Sequence, residues 1–237
     1  MGPLKPVLKF GALSILVFAS TFAIADSIQF GSYATGASAM GNANTALNFA
    51  GFSATSTSPS SGTASTFTLN PGITWGAALP NSTWVGSTAT SGPGSGVDPA
   101  LGYYTYTTTF NGSAANLYSG SISVMADDTA EVLLNGSLVF SFGLLGANSH
   151  CAAGSPSCSI ASTIGFSNAS LLNGLNNLTF VVQQAGNVGG ADPSGLDFDA
   201  TLSSGSVPEP STMTLMALGI AVIGSAAFLR KSALLKP

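Results

Sequence analysis

Five acids in one stretch of chain could do chemistry: Asp127 and Asp128 side by side, then Asp192, Asp197 and Asp199. Carboxylates in that number offer hard oxygen ligands, and calcium takes six to eight of them. No Lys or Arg lies between residues 26 and 206, so no side-chain cation is at hand to neutralise them. If the two groups meet in space, their repulsion must be offset by water, backbone N–H, hydroxyls or a bound cation. The leading reading is that Asp127 or Asp128 closes an Asx-turn and the others are solvated; calcium is the cofactor to look for as the second reading.

Enzymatic chemistry has less to work with. The single histidine, His150, stands one residue before Cys151, and no Gly-x-Ser-x-Gly nucleophile elbow occurs anywhere. Two carboxylates can hydrolyse a glycosidic bond when they flank it, and Asp197/Asp199 or Asp127/Glu131 are the pairs available. Acids at i and i+2 of a strand share one face, which suits neither flanking geometry. No catalytic residue is assigned, and the expectation is a non-enzyme. Cys151 and Cys158 are the only cysteines, close together around Gly154 and Pro156, and in an exported chain they are expected to form a loop-closing disulfide. A metal site from His150, Cys151 and Cys158 would lack a fourth ligand at sensible spacing. Trp75, Trp84, Tyr103, Tyr104 and Tyr106 supply flat rings, and the expectation is that Trp75, Trp84, Tyr104 and Tyr106 could stack on sugar faces.

The elements that must position these residues read as strands. Residues 26–206 hold eight acids and no basic residue, a formal charge of −8 against −4 for the whole chain. Such a body cannot neutralise a nucleic-acid backbone, which excludes that partner class. Helix formers are scarce, and β-branched and turn residues abound, so an all-β domain follows. Strands are expected at 46–52, 65–69, 84–89, 102–110, 121–125, 131–134, 137–142, 160–166, 177–183 and 195–202. Asn135-Gly136 marks a two-residue hairpin. In the last strand Leu196, Phe198, Ala200 and Leu202 should face inward, opposite Asp197, Asp199 and Thr201. Short strands at this spacing indicate an antiparallel β-sandwich of jelly-roll type.

The two ends of the chain carry addresses. Lys5 and Lys9, an apolar stretch at 10–18 and the small-x-small site Ala23-Ile24-Ala25 make 1–25 a secretory signal peptide. At the other end, residues 212–229 are free of charge, and as a helix they would span about 27 Å, close to a bilayer core. Arg230 and Lys231 follow, placing the C-terminus in the cytoplasm. Pro208-Glu209-Pro210, the apolar run and Arg230-Lys231 together resemble the PEP-CTERM sorting domain of exported bacterial proteins. The resemblance implies an inner-membrane-anchored precursor, recognition through Pro208, Glu209, Pro210, Arg230 and Lys231, and processing by export machinery and an exosortase-like enzyme. It also implies a cell-surface or extracellular destination, in bacteria that make extracellular polysaccharide. Within the body, residues 121–142, with an apolar strand, Asp-Asp and Asn-Gly in succession, are similar to galactose-binding-like jelly rolls, and the likeness extends over about 100–204. The division expected is thus signal peptide 1–25, exported sandwich 26–206 and sorting segment 207–237. The function expected is a surface or matrix protein that binds polysaccharide, the alternative being a structural matrix component without a ligand, and a glycoside-active enzyme ranking behind both.

Overall fold

The computed structural model describes residues 27–33, 39–58, 61–114, 116–145, 151–186 and 192–204, with six helical residues between Met216 and Ile223. Residues 25–205 form one compact unit by themselves. Ala23, Ala25, His150, Pro208, Glu209, Pro210, Arg230 and Lys231 lie outside the described residues, as does most of 212–229. Among the described residues no helix is long and apolar enough to cross a membrane.

Eleven strands build the unit: β1 (Ser27–Gly31), β2 (Ala43–Ser53), β3 (Ala64–Thr68), β4 (Val85–Gly86), β5 (Gly102–Gly112), β6 (Leu117–Asp127), β7 (Thr129–Leu134), β8 (Ser137–Phe140), β9 (Ser162–Ser170), β10 (Gly174–Gln184) and β11 (Gly195–Ser204). Every pairing is antiparallel. The order runs β8-β7-β10-β5-β2-β3-β4-β11-β6-β9, with β1 added to β11. Short β3 and β4 carry the sheet around a corner, so β8-β7-β10-β5-β2 faces β1/β11-β6-β9 as a sandwich. The ten expected strands are all present; β6 and β10 are longer than their alternating cores suggest. β1 is an addition, because its five residues carry only two large apolar side chains.

The main core lies between the layers. Leu178, Phe180 and Val182 of β10 meet Leu196, Phe198, Ala200 and Leu202 of β11, all of them buried. Alternation in each strand puts these residues on one face, which is why the register is fixed. Aromatic rings tie the layers together: Phe180 packs on Phe198 at 4.6 Å, and Phe30 of β1 stacks on Phe110 of β5 at 4.7 Å. Asn135 and Gly136 both take positive φ, 51° and 80°, as a two-residue turn of the mirror-image type requires. Asn135 does more than turn: its backbone N–H donates to Asn177 O, and its Oδ1 accepts from Asn177 N–H, each at 2.8 Å.

A second, smaller cluster gathers Leu69, Trp75, Trp84, Met125 and Cys158 at one end of the sandwich. Cys151 and Cys158 are joined by a disulfide with Cα atoms 5.5 Å apart, as expected from their spacing. The closed loop is stitched to the strands beneath it: Ala126 N–H donates to Ser157 O (3.1 Å) and Gly76 N–H to Cys158 O (2.8 Å). Removing the bridge as Cys151→Ser/Cys158→Ser should lower stability by about 2.5 kcal/mol on loop-closure grounds. A thermal melt should then show a drop of roughly 5–10 °C for a domain of this size; an unchanged midpoint would mean that the loop is held without it.

Candidate metal centre

The end of the sandwich beneath the disulfide loop is where three acids meet. Asp127 closes β6, Asp128 forms the bend into β7, and Asp192 stands three residues before β11. Antiparallel pairing brings them together, because Gly195 at the start of β11 lies opposite Asp127 at the end of β6. All three are fully buried, and each offers a carboxylate oxygen within 4.8 Å of the others. Two oxygens on one calcium ion, at 2.3–2.6 Å each, can lie no farther apart than about 5 Å, so the spacing fits a single ion. The Asp127–Asp128 peptide is cis.

Backbone and side-chain donors hold one oxygen of each Asp127 and Asp128 carboxyl. Trp75 Nε1–H donates to Asp127 Oδ2 at 2.5 Å, and Ala185 N–H donates to Asp128 Oδ2 at 2.6 Å. Gln184 Nε2 donates to the Asp192 carbonyl (3.1 Å), fixing the segment before β11 that carries it, and Ala152 N–H from the disulfide loop donates to Asp128 O (3.1 Å). Asp127 Oδ1 remains buried with no N–H or hydroxyl donor, and so does Gln184 Oε1. Burial, far more than any neighbour, pushes the Asp127 carboxyl well above the ordinary carboxylate range; the Trp75 bond opposes this, and the charges of Asp128 and Asp192 add to it. Three buried carboxylates with no cation in reach are unfavourable unless protonated or bound to a metal ion.

The donor set passes the test of fit for a hard cation. It consists of oxygens only, and the two sulfurs nearby are consumed by the disulfide. That removes the thiolate ligands of the alternative site built on Cys151 and Cys158 and leaves a donor set that suits a hard cation of the calcium, magnesium or manganese kind.

Asp197 and Asp199 do not belong to this group, although the sequence puts them in the same candidate set. Asp197 points from β11 toward the opposite edge, where Oδ1 accepts from Ser32 Oγ (2.9 Å) and Oδ2 from Leu79 N–H (2.8 Å). Burial still raises its carboxyl above the ordinary value despite those hydrogen bonds. Its role is to fasten the exit of β1 and the 79–83 loop. Asp199, half-buried, sits two residues on along the same strand. One strand's alternation cannot serve both places: Asp127, at the far end of β6, is reached only by the loop before β11.

The four rings expected to stack on sugars are not available for it. Trp75 is 4% exposed, Trp84 and Tyr106 are fully buried, and Tyr104 is 6% exposed. Trp75 and Trp84 stack on each other at 4.3 Å, and Tyr104 donates its hydroxyl to Ala100 O at 2.8 Å. The physical reason is the sparse core: in a chain this poor in large apolar residues, the aromatics are needed inside. Trp75 has a different use, since a buried indole N–H requires an acceptor and Asp127 supplies it. Gly195 makes room for that ring, because a Cβ there would lie 2.5 Å from the indole. Gln184 and Ala185 also belong to the site and carry no signal in the sequence; the eleven-residue pairing of β10 with β5 places them.

Residues 206–231 match the PEP-CTERM protein-sorting motif. The chain thus carries the sorting signal of an exported, membrane-anchored precursor handled by exosortase-type machinery. No curated protein matches the chain. Among solved structures, the chain is similar over 44% of its length to a β-glucosidase from Kluyveromyces marxianus in complex with glucose, at 18% identity and a TM-score of 0.28, and the overlap spans 12% of that enzyme. It is similar over 44% to the CBM36-1 domain of a multidomain xylanase from the hindgut metagenome of Trinervitermes trinervoides (13% identity, 72% of that domain, TM-score 0.23). It is also similar over 54% to a CBM4 structure (11% identity, 73% of that chain, TM-score 0.26).

Proposed function

We propose that the body of this chain is a calcium-holding, non-catalytic β-sandwich that serves as a structural component of the cell surface or extracellular matrix. The observation that carries the reading is the buried trio Asp127, Asp128 and Asp192, with oxygens within 4.8 Å and no donor on Asp127 Oδ1. Calcium bound there would tie the β6–β7 bend to the segment before β11, which are far apart in sequence. Of the acids considered for glycoside chemistry, Asp127 is engaged with Trp75 and Asp197 with Ser32 and Leu79. The sorting motif at 206–231 supports that destination; on this reading the signal peptide is cut after Ala25 and the C-terminal segment is recognised at Pro208, Glu209 and Pro210.

Between the two non-catalytic roles, burial of Trp75, Trp84, Tyr104 and Tyr106 favours the structural one over a polysaccharide receptor that works by ring stacking. A glycan array with calcium present tests this choice, and strong selective hits would overturn it. The cation itself can be detected by terbium, a luminescent stand-in for calcium. Excitation of Trp75, hydrogen-bonded to Asp127, should sensitise terbium emission that calcium then quenches by competition. Asp128→Asn should weaken terbium binding at least about tenfold, the usual scale for losing a ligand or its support. Emission that is unaffected by that change would place the ion elsewhere.

A further inference from the structure

The buried acid trio marks one end of the body. β11 runs ten residues from Gly195, opposite Asp127, to Ser204, opposite Tyr118. At about 3.3 Å per residue the acid trio lies some 30 Å from the far end. Both flanking segments join the body at that far end, because Ser27, the first residue of β1, pairs with Ser203. Three leucines stand exposed there: Leu117 (46%), Leu172 (56%) and Leu175 (66%). The pairings put them on one end, with Leu117 opposite Ser170 and Leu175 opposite Asn111, and Leu172 N–H bonded to Asn176 Oδ1 at 2.8 Å.

We infer that this end is a lipid-docking surface, on which Leu117, Leu172 and Leu175 seat in the headgroup boundary of the bilayer while the precursor is anchored through residues 206–231. The inference rests on the anchored-precursor reading. Three observations select a bilayer as the occupant. First, only residues 205–211 separate Ser204 from the apolar run at 212–229. Fully extended, these seven residues reach about 25 Å, so Ser204 can lie no farther than that from whatever surface anchors the start of that run. Second, residues 111–119, 135–137, 170–178 and 202–204 contain no acid and are rich in Asn and Ser, side chains that hydrogen-bond headgroups without charge. Third, within the strands the nearest acids to this end, Glu131 and Asp199, stand four and five residues up, about 13–16 Å away, which leaves Asp26 and Glu209 of the flanking segments as the acids nearer in sequence. That exceeds the Debye length of about 8 Å in physiological salt, so the strand acids add little to whatever repulsion Asp26 and Glu209 meet at an anionic bilayer. An apolar patch seated this way lies about 5–10 Å into the interface.

The test places a tryptophan at the patch in the full-length chain, reconstituted into vesicles of phosphatidylcholine and phosphatidylglycerol. Leu175→Trp and, independently, Leu172→Trp should lose emission when the phosphatidylcholine carries brominated acyl chains. Ile73→Trp, at the acid end, should not. Trp75 and Trp84 are buried and give a constant background. Flotation in a density gradient reports anchoring separately. A chain that fails to float overturns the anchored-precursor reading and the inference with it. A chain that floats while both indoles stay unquenched overturns lipid docking alone, and blue-shifted but unquenched emission would overturn it in favour of a second copy of the chain covering the leucines.

Discussion

Chelation lowers the melting midpoint of the calcium-saturated protein by about 8–16 °C. The figure follows from linkage: a ligand present at about a thousand times its Kd stabilises the folded state by roughly 4 kcal/mol. For a domain of about 180 residues each kcal/mol corresponds to roughly 2–4 °C. The effect should also depend on pH with a definite sign. In the chelated protein the folded-state Asp127 carboxyl is pushed from its ordinary value near 3.8 to past neutrality, by burial first and then by Asp128 and Asp192. A group raised on folding contributes stability that is fully present below the unfolded value and is lost as pH rises toward the folded one. The chelated protein should therefore lose stability from about pH 4 upward on account of this group. Calcium needs the carboxylates ionised, so its stabilisation grows over the same range. The gap between the two melts should be near zero around pH 4 and still be widening at pH 8, below the folded value of about 9. A gap that narrows with rising pH would contradict the assignment.

The second large effect lies in the core. Phe198→Ala should destabilise by about 3–5 kcal/mol, the range for deleting a buried aromatic ring. Phe198 is fully buried on β11 and touches rings from two other strands, Phe180 at 4.6 Å and Phe30 at 5.9 Å. Loss of the ring leaves a void between the layers and strips β1 of one of its two aromatic anchors, the other being Phe110. The midpoint should fall by roughly 6–20 °C, and Phe198→Leu, which keeps most of the volume, should cost about 1.5 kcal/mol or less. Because β1 rests on this ring, amide exchange in residues 27–31 should accelerate more than in β10. A midpoint within about 2 °C of wild type would mean that the layers do not meet at Phe198.

The strands were legible because alternation is local. Leu196, Phe198, Ala200 and Leu202 announce one buried face, and Asn135-Gly136 announces its own turn. β1 was not legible: Ile28 and Phe30 carry its pattern, and its place is set by Ser203 and Phe110, residues far along the chain. The site divides the same way. Asp127 and Asp128 stand out as a pair of acids, and the absence of Lys and Arg makes a cation plausible from composition alone. Which distant acid joins them depends on the register of β6 and β11, and that register selects Asp192 over Asp197 and Asp199. The aromatics were misjudged for a related reason. An aromatic in a polar sequence looks like a surface feature, yet a body with so few large apolar residues needs Trp75, Trp84, Tyr104 and Tyr106 inside.

Calcium stoichiometry, measured by equilibrium dialysis on the purified protein and its variants, addresses the central claim most directly. The trio predicts one ion per chain, lost in Asp127→Asn/Asp128→Asn and in Asp192→Ala, and retained in Asp197→Asn/Asp199→Asn. A wild-type chain that takes up no calcium, or one whose binding disappears with Asp197 and Asp199 instead, would contradict it.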